Sequence, residues 1–176
     1  MKKITAISVV SLLLLASCGG KGKDAASMDY GLEEANEVIS YYNTSIDITK
    51  KMVDMGEISK IIDYMQKNGK TLVAPVVIRT PVSATDTTAL LNPGDCFPSS
   101  AADSLKMYYR RFFDVSKRLY ANYDAYRAYI KAEDYKDDNY AKGNEICKEE
   151  KELAEQIPGL RSQIYALLTP LSLIHI

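Results

Sequence analysis

Apolar residues recur at alternating spacings of three and four along three stretches of the chain, the pattern of helices with one buried face. The first stretch runs from about residue 30 to residue 67 and ends at Asn68-Gly69, where glycine favours a left-handed helix cap. The spacing predicts one long helix with a bend near Asn43-Thr44 or Gly56. Its predicted buried face consists of Val38, Tyr41, Ser45, Ile48, Met52, Met55, Ser59 and Ile62.

Two further helices are predicted in the second half of the chain. One begins near Ser100, whose side chain is expected to cap the first turn. The next begins near Asp137 or Asp138, either of which can cap it, and should kink or split at Pro158-Gly159 because proline removes a helix hydrogen bond. The predicted buried faces are Leu105, Tyr108, Phe112, Val115, Leu119 and Tyr126, and then Ile146, Leu153, Ile157, Leu160, Ile164 and Leu168. The pattern predicts an all-α fold, an elongated helical bundle of at least three long helices.

The stretch from Thr71 to Ser100 lacks this periodicity. It carries four prolines and a threonine-rich patch, so we expect a long Pro/Thr-rich surface loop between the first two helices. Val73–Ile78 has the composition of a short edge strand, although Pro75 argues against a central one. Such a loop either binds a partner or is a variable insertion, and we favour the insertion.

The segment 1–17 has the organisation of a bacterial lipoprotein signal peptide. Two lysines precede an uncharged, mainly apolar run from residue 4 to residue 15, which spans about 18 Å as a helix and is too short to cross a bilayer. The run ends in Leu-Ala-Ser-Cys18, a lipobox, so we predict that Cys18 is the lipidated first residue of the mature protein. An ordinary signal peptide with an incidental cysteine is the alternative. Residues 18–29 are expected to form a flexible spacer and residues 30–170 a helical domain.

The expected location is the bacterial cell envelope, with the lipid on Cys18 inserted in a membrane. Gly19 stands where some inner-membrane lipoproteins carry Asp, which favours the outer membrane. The 22 Lys and Arg nearly balance the 23 Asp and Glu, so a strongly basic nucleic-acid binder is excluded.

Residues 171–176 resemble the translation of a sequencing adaptor, with a genuine apolar tail as the alternative. The adaptor interpretation predicts that the natural protein continues beyond Pro170 and that the domain is truncated. Under the same interpretation His175, the only histidine in the chain, does not belong to the natural protein. Without that residue, histidine-dependent triads and histidine-ligated metal sites cannot be built.

Few other residues carry candidate chemistry. Cys96 in the loop and Cys147 on the third helix are a candidate disulfide, with two free thiols or a pairing with a missing cysteine as alternatives. The acidic turn Glu133–Asn139 lacks the glycine and the ligand pattern of an EF-hand, so we predict no metal and no cofactor. Lys148–Glu152 is interpreted as a solvated helix face.

Tyrosines recur every third residue on the second predicted helix, at Tyr120, Tyr123, Tyr126 and Tyr129. Steps of three drift by about 60° each, so the row wraps half the circumference of the helix. An aromatic surface for an envelope protein or a glycan is one interpretation. Helix–helix packing is the other, and we favour it.

Three segments resemble a known family. They are Tyr41–Asn43, Leu119–Tyr123 and the motif Tyr-Lys-Asp-Asp-Asn-Tyr-Ala-Lys-Gly at Tyr135–Gly143. Together they resemble the YiiG-like family of bacterial lipoproteins, which is defined by domain of unknown function 3829. The resemblance covers roughly residues 32 to 168. It implies a helical, lipid-anchored protein with no catalytic residues to carry over, and members longer than this chain, in agreement with truncation.

These observations predict a non-catalytic binding or structural module at the cell envelope. The alternative is a hydrolase that cleaves cell-wall glycan through carboxylates. Spacing along the sequence does not give the distance between two carboxylates on different helices, so both functions stay open.

Overall fold

The computed structural model describes residues 32–69, 73–79, 81–95 and 97–172, and within these ranges the chain forms seven helices and no strand. The helices are α1 (Leu32–Met52), α2 (Met55–Gln66), α3 (Ala84–Leu91), α4 (Ser99–Ala132), α5 (Tyr135–Asp138), α6 (Ala141–Ala154) and α7 (Gln156–Ser172). The predicted all-α fold is confirmed.

The longest helix, α4, is the centre of the bundle. Its 34 residues span about 51 Å. α6 and α7 pack along α4, α3 also contacts it, α2 packs on α6, and α1 packs on α3 and α7. One core joins these helices, and its largest fully buried side chains are Tyr109, Tyr123, Tyr126, Phe112, Ile58, Ile61, Met65, Leu90, Leu105, Leu119, Leu153 and Ile157.

The first predicted helix is divided in two, because it is interrupted between Met52 and Met55, close to the bend expected near Gly56. Asp54 is extended there and caps α2: its carboxylate accepts from the amides of Gly56 at 2.7 Å and Glu57 at 3.2 Å. The interruption shifts the helical phase. The predicted buried face is therefore correct in α1 up to Ile48. It is wrong in α2, where Ser59 was expected to be buried but is exposed. Ile58 and Ile61 are buried instead. Asn68 and Gly69, both with positive φ, end α2 as predicted.

The loop between the first two long helices also differs from the prediction, since it contains α3. Ser83 caps this helix by accepting from the amide of Asp86 at 3.0 Å. The threonine-rich patch therefore belongs to a helix. Val73–Ile78 forms no strand.

Two predictions about where helices begin or break are wrong. Ser100 does not cap α4 but lies inside it, where its carbonyl accepts from the Ser104 hydroxyl at 2.8 Å. Pro158 does not split the third helical stretch; the break lies at Glu155, between α6 and α7. Pro158 is the third residue of α7, a first-turn position where the amide has no partner within the helix, so proline is tolerated there.

Candidate functional site

The tyrosine row on α4 connects this helix to four other parts of the chain. Tyr120 donates to the Met52 carbonyl at the end of α1 at 3.0 Å, and Tyr123 donates to the Pro75 carbonyl at 2.5 Å. Tyr126 donates to the last turn of α2, through the Met65 carbonyl at 3.0 Å, and Tyr129 to the Asp138 carboxylate at 2.6 Å. Because steps of three rotate around the helix, each hydroxyl reaches a different neighbour.

This geometry decides between the two interpretations of the row. Tyr123, Tyr126 and Tyr129 are buried, and only Tyr120 is partly exposed. The four tyrosines therefore do not form a partner surface. They pack in the core with their hydroxyls satisfied, which is how buried tyrosines are usually accommodated.

The Tyr-Lys-Asp-Asp-Asn-Tyr-Ala-Lys-Gly motif builds the junction between α4 and α6. The Asp138 carboxylate accepts from the Tyr129 hydroxyl and, at 3.0 Å, from the Lys142 amide in the first turn of α6. The predicted N-cap is wrong, because Asp138 ends α5 and Tyr140 is the N-cap of α6; Asp138 nevertheless satisfies one amide in the first turn of α6. The hydrogen bond from Tyr129 is the main cause that lowers the pKa of Asp138, and burial together with Asp138 raises the pKa of Tyr129.

Gly143 in the same motif allows close approach of the two helices. A Cβ at this position would lie 2.8 Å from Cε1 of Tyr129 and 3.3 Å from Cε2 of Tyr126. Real Cβ atoms do not come as close as 2.8 Å, so a side chain here would force the tyrosine ring or the helix to move. The motif that carries the family resemblance is thus explained by packing and capping.

Buried hydroxyl groups connect α1 to α4 and α7. Ser45 is hydrogen-bonded to the Tyr109 hydroxyl, and Thr49 to the Tyr165 hydroxyl at 2.7 Å. Ser45 and Thr49 are fully buried. Burial raises the pKa of Tyr109. These pairs satisfy polar groups inside the core.

Arg161 on α7 holds the end of α1. Its guanidinium donates to the carbonyls of Thr49 at 2.6 Å and Val53 at 2.5 Å. The last carbonyls of a helix have no partner within the helix, and a cation there also interacts favourably with the helix dipole. Arg161 therefore stabilises α1 at the point where the chain breaks before α2.

Glu150 on α6 contradicts the prediction of a solvated face at Lys148–Glu152. Its exposure is 0%, and neither carboxylate oxygen has a hydrogen-bond partner in the described part of the chain. Burial raises its pKa to about 8. The helical spacing was the sequence signal for this burial. Glu150 falls three residues after Cys147 and three before Leu153, both of which are buried. Its neighbour Glu149 is on the solvated side and pairs with Arg118.

Predicted site residues at the two ends lie outside the described residues. Cys18 and His175 fall there, and so does Cys96 in the loop. Cys147 is buried and forms no disulfide with another described residue, and burial raises its pKa. The pairing of Cys96 with Cys147 stays a prediction.

Among the described residues, the most exposed large apolar side chains lie on the segment from Val73 to Arg79, here named the 73–79 segment. Val73, Val76 and Ile78 are 75%, 81% and 73% exposed. Ala74 and Val77 between them pack against the core. The segment was expected in a surface loop, with a short edge strand as an option; it is on the surface, and the strand does not form.

A cleft of about 340 Å³ lies between the 73–79 segment and α4, and residues of both line it. Arg79 forms an ion pair with Asp124 at 2.6 Å, and its guanidinium lies 5.3 Å from the ring centre of Tyr120. Arg127 lies over the Tyr123 ring at 5.7 Å and forms no ion pair within the described ranges. The cleft is therefore lined by the charged side chains of Arg79, Asp124 and Arg127 together with Val76 of the segment.

Metal-binding clusters and membrane spans are both absent from the described residues. These contain no group of three or more His, Cys, Asp or Glu side chains placed to hold a metal ion. None of their helices is both long and apolar enough to cross a membrane.

The fold and the helix junctions define the described part of the chain as a helical-bundle domain. Residues 29–173 match the family model of DUF6845, a domain of unknown function, and the chain belongs to this family. A comparison with curated proteins finds no match.

Solved structures place the same fold in proteins related to domain of unknown function 3829. A DUF3829 family protein from Bacteroides vulgatus is 38% identical with a TM-score of 0.71, over 78% of this chain and 90% of that one. An alpha helical protein from Bacteroides fragilis is 31% identical (TM-score 0.65), and a DUF3829-like protein from Bacteroides thetaiotaomicron is 26% identical (0.62). The B. fragilis and B. thetaiotaomicron matches each cover 80% of this chain. This chain spans only 53% of the first of these proteins and 50% of the second. The resemblance to the DUF3829 group is confirmed.

Proposed function

We propose that this chain is a lipid-anchored protein of the bacterial cell envelope, and that its helical domain has a binding or structural role. The observation that carries the anchor is the Leu-Ala-Ser-Cys18 lipobox after a short apolar run. Two or more acyl chains on one cysteine are enough to hold a protein stably on a bilayer. Gly19 supports the outer membrane as the location.

A role without catalysis is supported by the surroundings of the polar groups that were candidates for chemistry. The hydroxyls of the tyrosine row donate to the main chain and to a capping carboxylate, so they serve the fold. Glu150 has a pKa in the range of a general acid but is 0% exposed, so a glycan cannot reach it in this conformation.

The anchor is tested by metabolic labelling of the full chain with radioactive palmitate in an expressing bacterium. The wild-type protein should incorporate label and lose the segment 1–17. Cys18→Ala should abolish labelling and leave an unprocessed precursor, whereas the control Cys96→Ala should label normally. Processing of Cys18→Ala at an ordinary signal-peptidase site would contradict the lipobox.

The non-catalytic role is tested by incubating the full chain with purified peptidoglycan. We expect the protein to bind without releasing soluble fragments, or not to bind at all. Fragment release that exceeds a heat-denatured control would support the hydrolase alternative and contradict the proposal.

A further inference from the structure

We propose that Asn68 is a site of spontaneous deamidation, and that opening of the turn at the end of α2 sets the rate of this modification. Asn68 is followed by Gly69, and no other asparagine of the chain precedes a glycine. Glycine has no side chain to hinder attack by its own amide nitrogen, so an asparagine in front of it is the most reactive kind. The inference does not depend on the proposed lipid anchor.

The turn that ends α2 is a Schellman motif. The Gly69 amide donates to the Tyr64 carbonyl at 3.1 Å. The Asn68 amide donates to the Met65 carbonyl at 2.9 Å. The values of φ are 54° at Asn68 and 64° at Gly69. Asparagine is one of the few residues besides glycine that adopts this left-handed conformation readily, so the turn accepts it.

Packing as well as the positive φ selects glycine at position 69. A Cβ there would lie 3.2 Å from the Tyr64 hydroxyl and 3.3 Å from the side chain of Ile130. The neighbours therefore leave little room for a side chain. The residue that the turn requires is also the one that makes Asn68 reactive.

The reaction joins the two residues and then releases them in a changed form. The Gly69 amide nitrogen loses its proton and attacks Cγ of Asn68. The new N–Cγ bond forms, the Cγ–Nδ2 bond breaks, and Nδ2 takes up a proton and leaves as ammonia. The resulting succinimide adds one water molecule. Opening at the side-chain carbonyl gives aspartate, and opening at the main-chain carbonyl gives isoaspartate, whose extra main-chain carbon no longer fits the hydrogen bonds of the turn.

The folded turn opposes this reaction. The attacking nitrogen donates to the Tyr64 carbonyl, and that hydrogen bond must break first. Left-handed backbone, with ψ of about +47°, also places Cβ of Asn68 anti to the Gly69 nitrogen across the Cα–C bond, so the main chain must rotate before Cγ can reach it. The ends of helices open locally at a lower free energy than the whole fold, which makes the opened turn the reactive state.

Asn139 provides a matched comparison within the same chain. Asn139 and Tyr140 have φ values of 49° and 66°, almost the same as Asn68 and Gly69. Tyr140 differs from Gly69 because it carries a large side chain beside the attacking nitrogen. Asn68 should therefore react well before Asn139.

The test incubates the full chain at mildly alkaline pH, once folded and once in urea. Peptide mass spectrometry follows the conversion of amide to acid at each asparagine, and methylation by an isoaspartyl methyltransferase detects isoaspartate. In urea, Asn68 should react at least tenfold faster than Asn139. In the folded chain, Asn68 should react between tenfold and a thousandfold more slowly than in urea.

Variants test whether the opening is local. Ile130→Ala should raise the rate at Asn68 at least threefold in the folded chain and leave it unchanged in urea, because Ile130 lies beside Gly69. Ile39→Ala is the matched control, since Ile39 is 41% exposed on α1, and it should react as the parent chain does. Asn68→Gly should abolish the modification at this position and keep the turn, because glycine is preferred there. Circular dichroism confirms that each variant is folded.

Results of two kinds would overturn the proposal. Reaction at Asn139 as fast as at Asn68 in urea would show that glycine is not decisive. Equal rates at Asn68 in the two conditions, no reaction of the folded chain even on prolonged incubation, an unchanged rate in Ile130→Ala, or an equal increase in Ile39→Ala would contradict control by local opening of the turn.

Discussion

The burial of Glu150 predicts that its replacement by glutamine stabilises the protein at neutral pH. The carboxyl is fully buried without a hydrogen-bond partner among the described residues, and its pKa rises from 4.5 to about 8. Between these two values the folded protein keeps the proton and the unfolded chain loses it. Because the folded state then binds more protons, its stability falls as the pH rises through this range.

The magnitude follows from the same pKa values. At pH 7 the unfolded chain gains about 1.36 kcal/mol for each of the 2.5 pH units above 4.5, or at most about 3 kcal/mol. Glutamine is neutral in both states and similar in shape. Glu150→Gln should therefore increase the free energy of unfolding by up to about 3 kcal/mol at pH 7, and by almost nothing at pH 4.

The assay is urea unfolding followed by circular dichroism at pH 4, 5, 6, 7 and 8. The difference between Glu150→Gln and wild type should grow with pH across this series. The matched control is Glu149→Gln, which changes the neighbouring carboxylate in an exposed ion pair with Arg118 and should alter stability by less than about 1 kcal/mol. A Glu150→Gln variant that is less stable than wild type at pH 7, or a difference independent of pH, would refute the reasoning.

Three further predictions concern the helix junctions and are measured by chemical denaturation. Gly143→Ala should destabilise the protein by about 1–3 kcal/mol because the new Cβ would meet Tyr129 at 2.8 Å, whereas Gly159→Ala, which has nothing within 4 Å, should be neutral or stabilising. Equal effects of the two substitutions would contradict the close-packing argument. Tyr126→Phe should cost about 0.5–1.5 kcal/mol, since it removes one of the hydrogen bonds to the Met65 carbonyl, which still accepts from the Asn68 amide; an unchanged stability would contradict a stabilising role of the hydroxyl. Arg161→Met should cost about 2 kcal/mol or more, because two carbonyls at the end of α1 lose a charged donor; a loss below about 0.5 kcal/mol would contradict its capping role.

The helices and their buried faces could be predicted from periodicity because a helix buried on one side repeats its apolar residues locally. The predicted faces of α4, α6 and α7 are buried at most positions, Leu105 and Ile164 among them. The sequence predicted a bend near Gly56, but periodicity alone did not show that the helix breaks completely after Met52. The break depends on Asp54 as a cap and on Arg161, which is more than a hundred residues away in the sequence.

The roles of individual polar residues depended on tertiary contacts. The tyrosine row has an unusual spacing, but only the positions of α1, α2 and α5 around α4 show that each hydroxyl has a separate acceptor. Glu150 was grouped with its charged neighbours because a run of charges is usually solvated. Its phase relative to Cys147 and Leu153 was the better guide.

The most direct test of the lipid anchor, the central claim, is mass spectrometry of the N-terminal peptide of the protein isolated from bacterial membranes. A lipidated protein should yield a peptide that begins at Cys18 and carries a diacylglyceryl group on its sulfur and an acyl chain on its amine. A peptide that begins at another residue, or that begins at Cys18 with a free thiol, would contradict the claim.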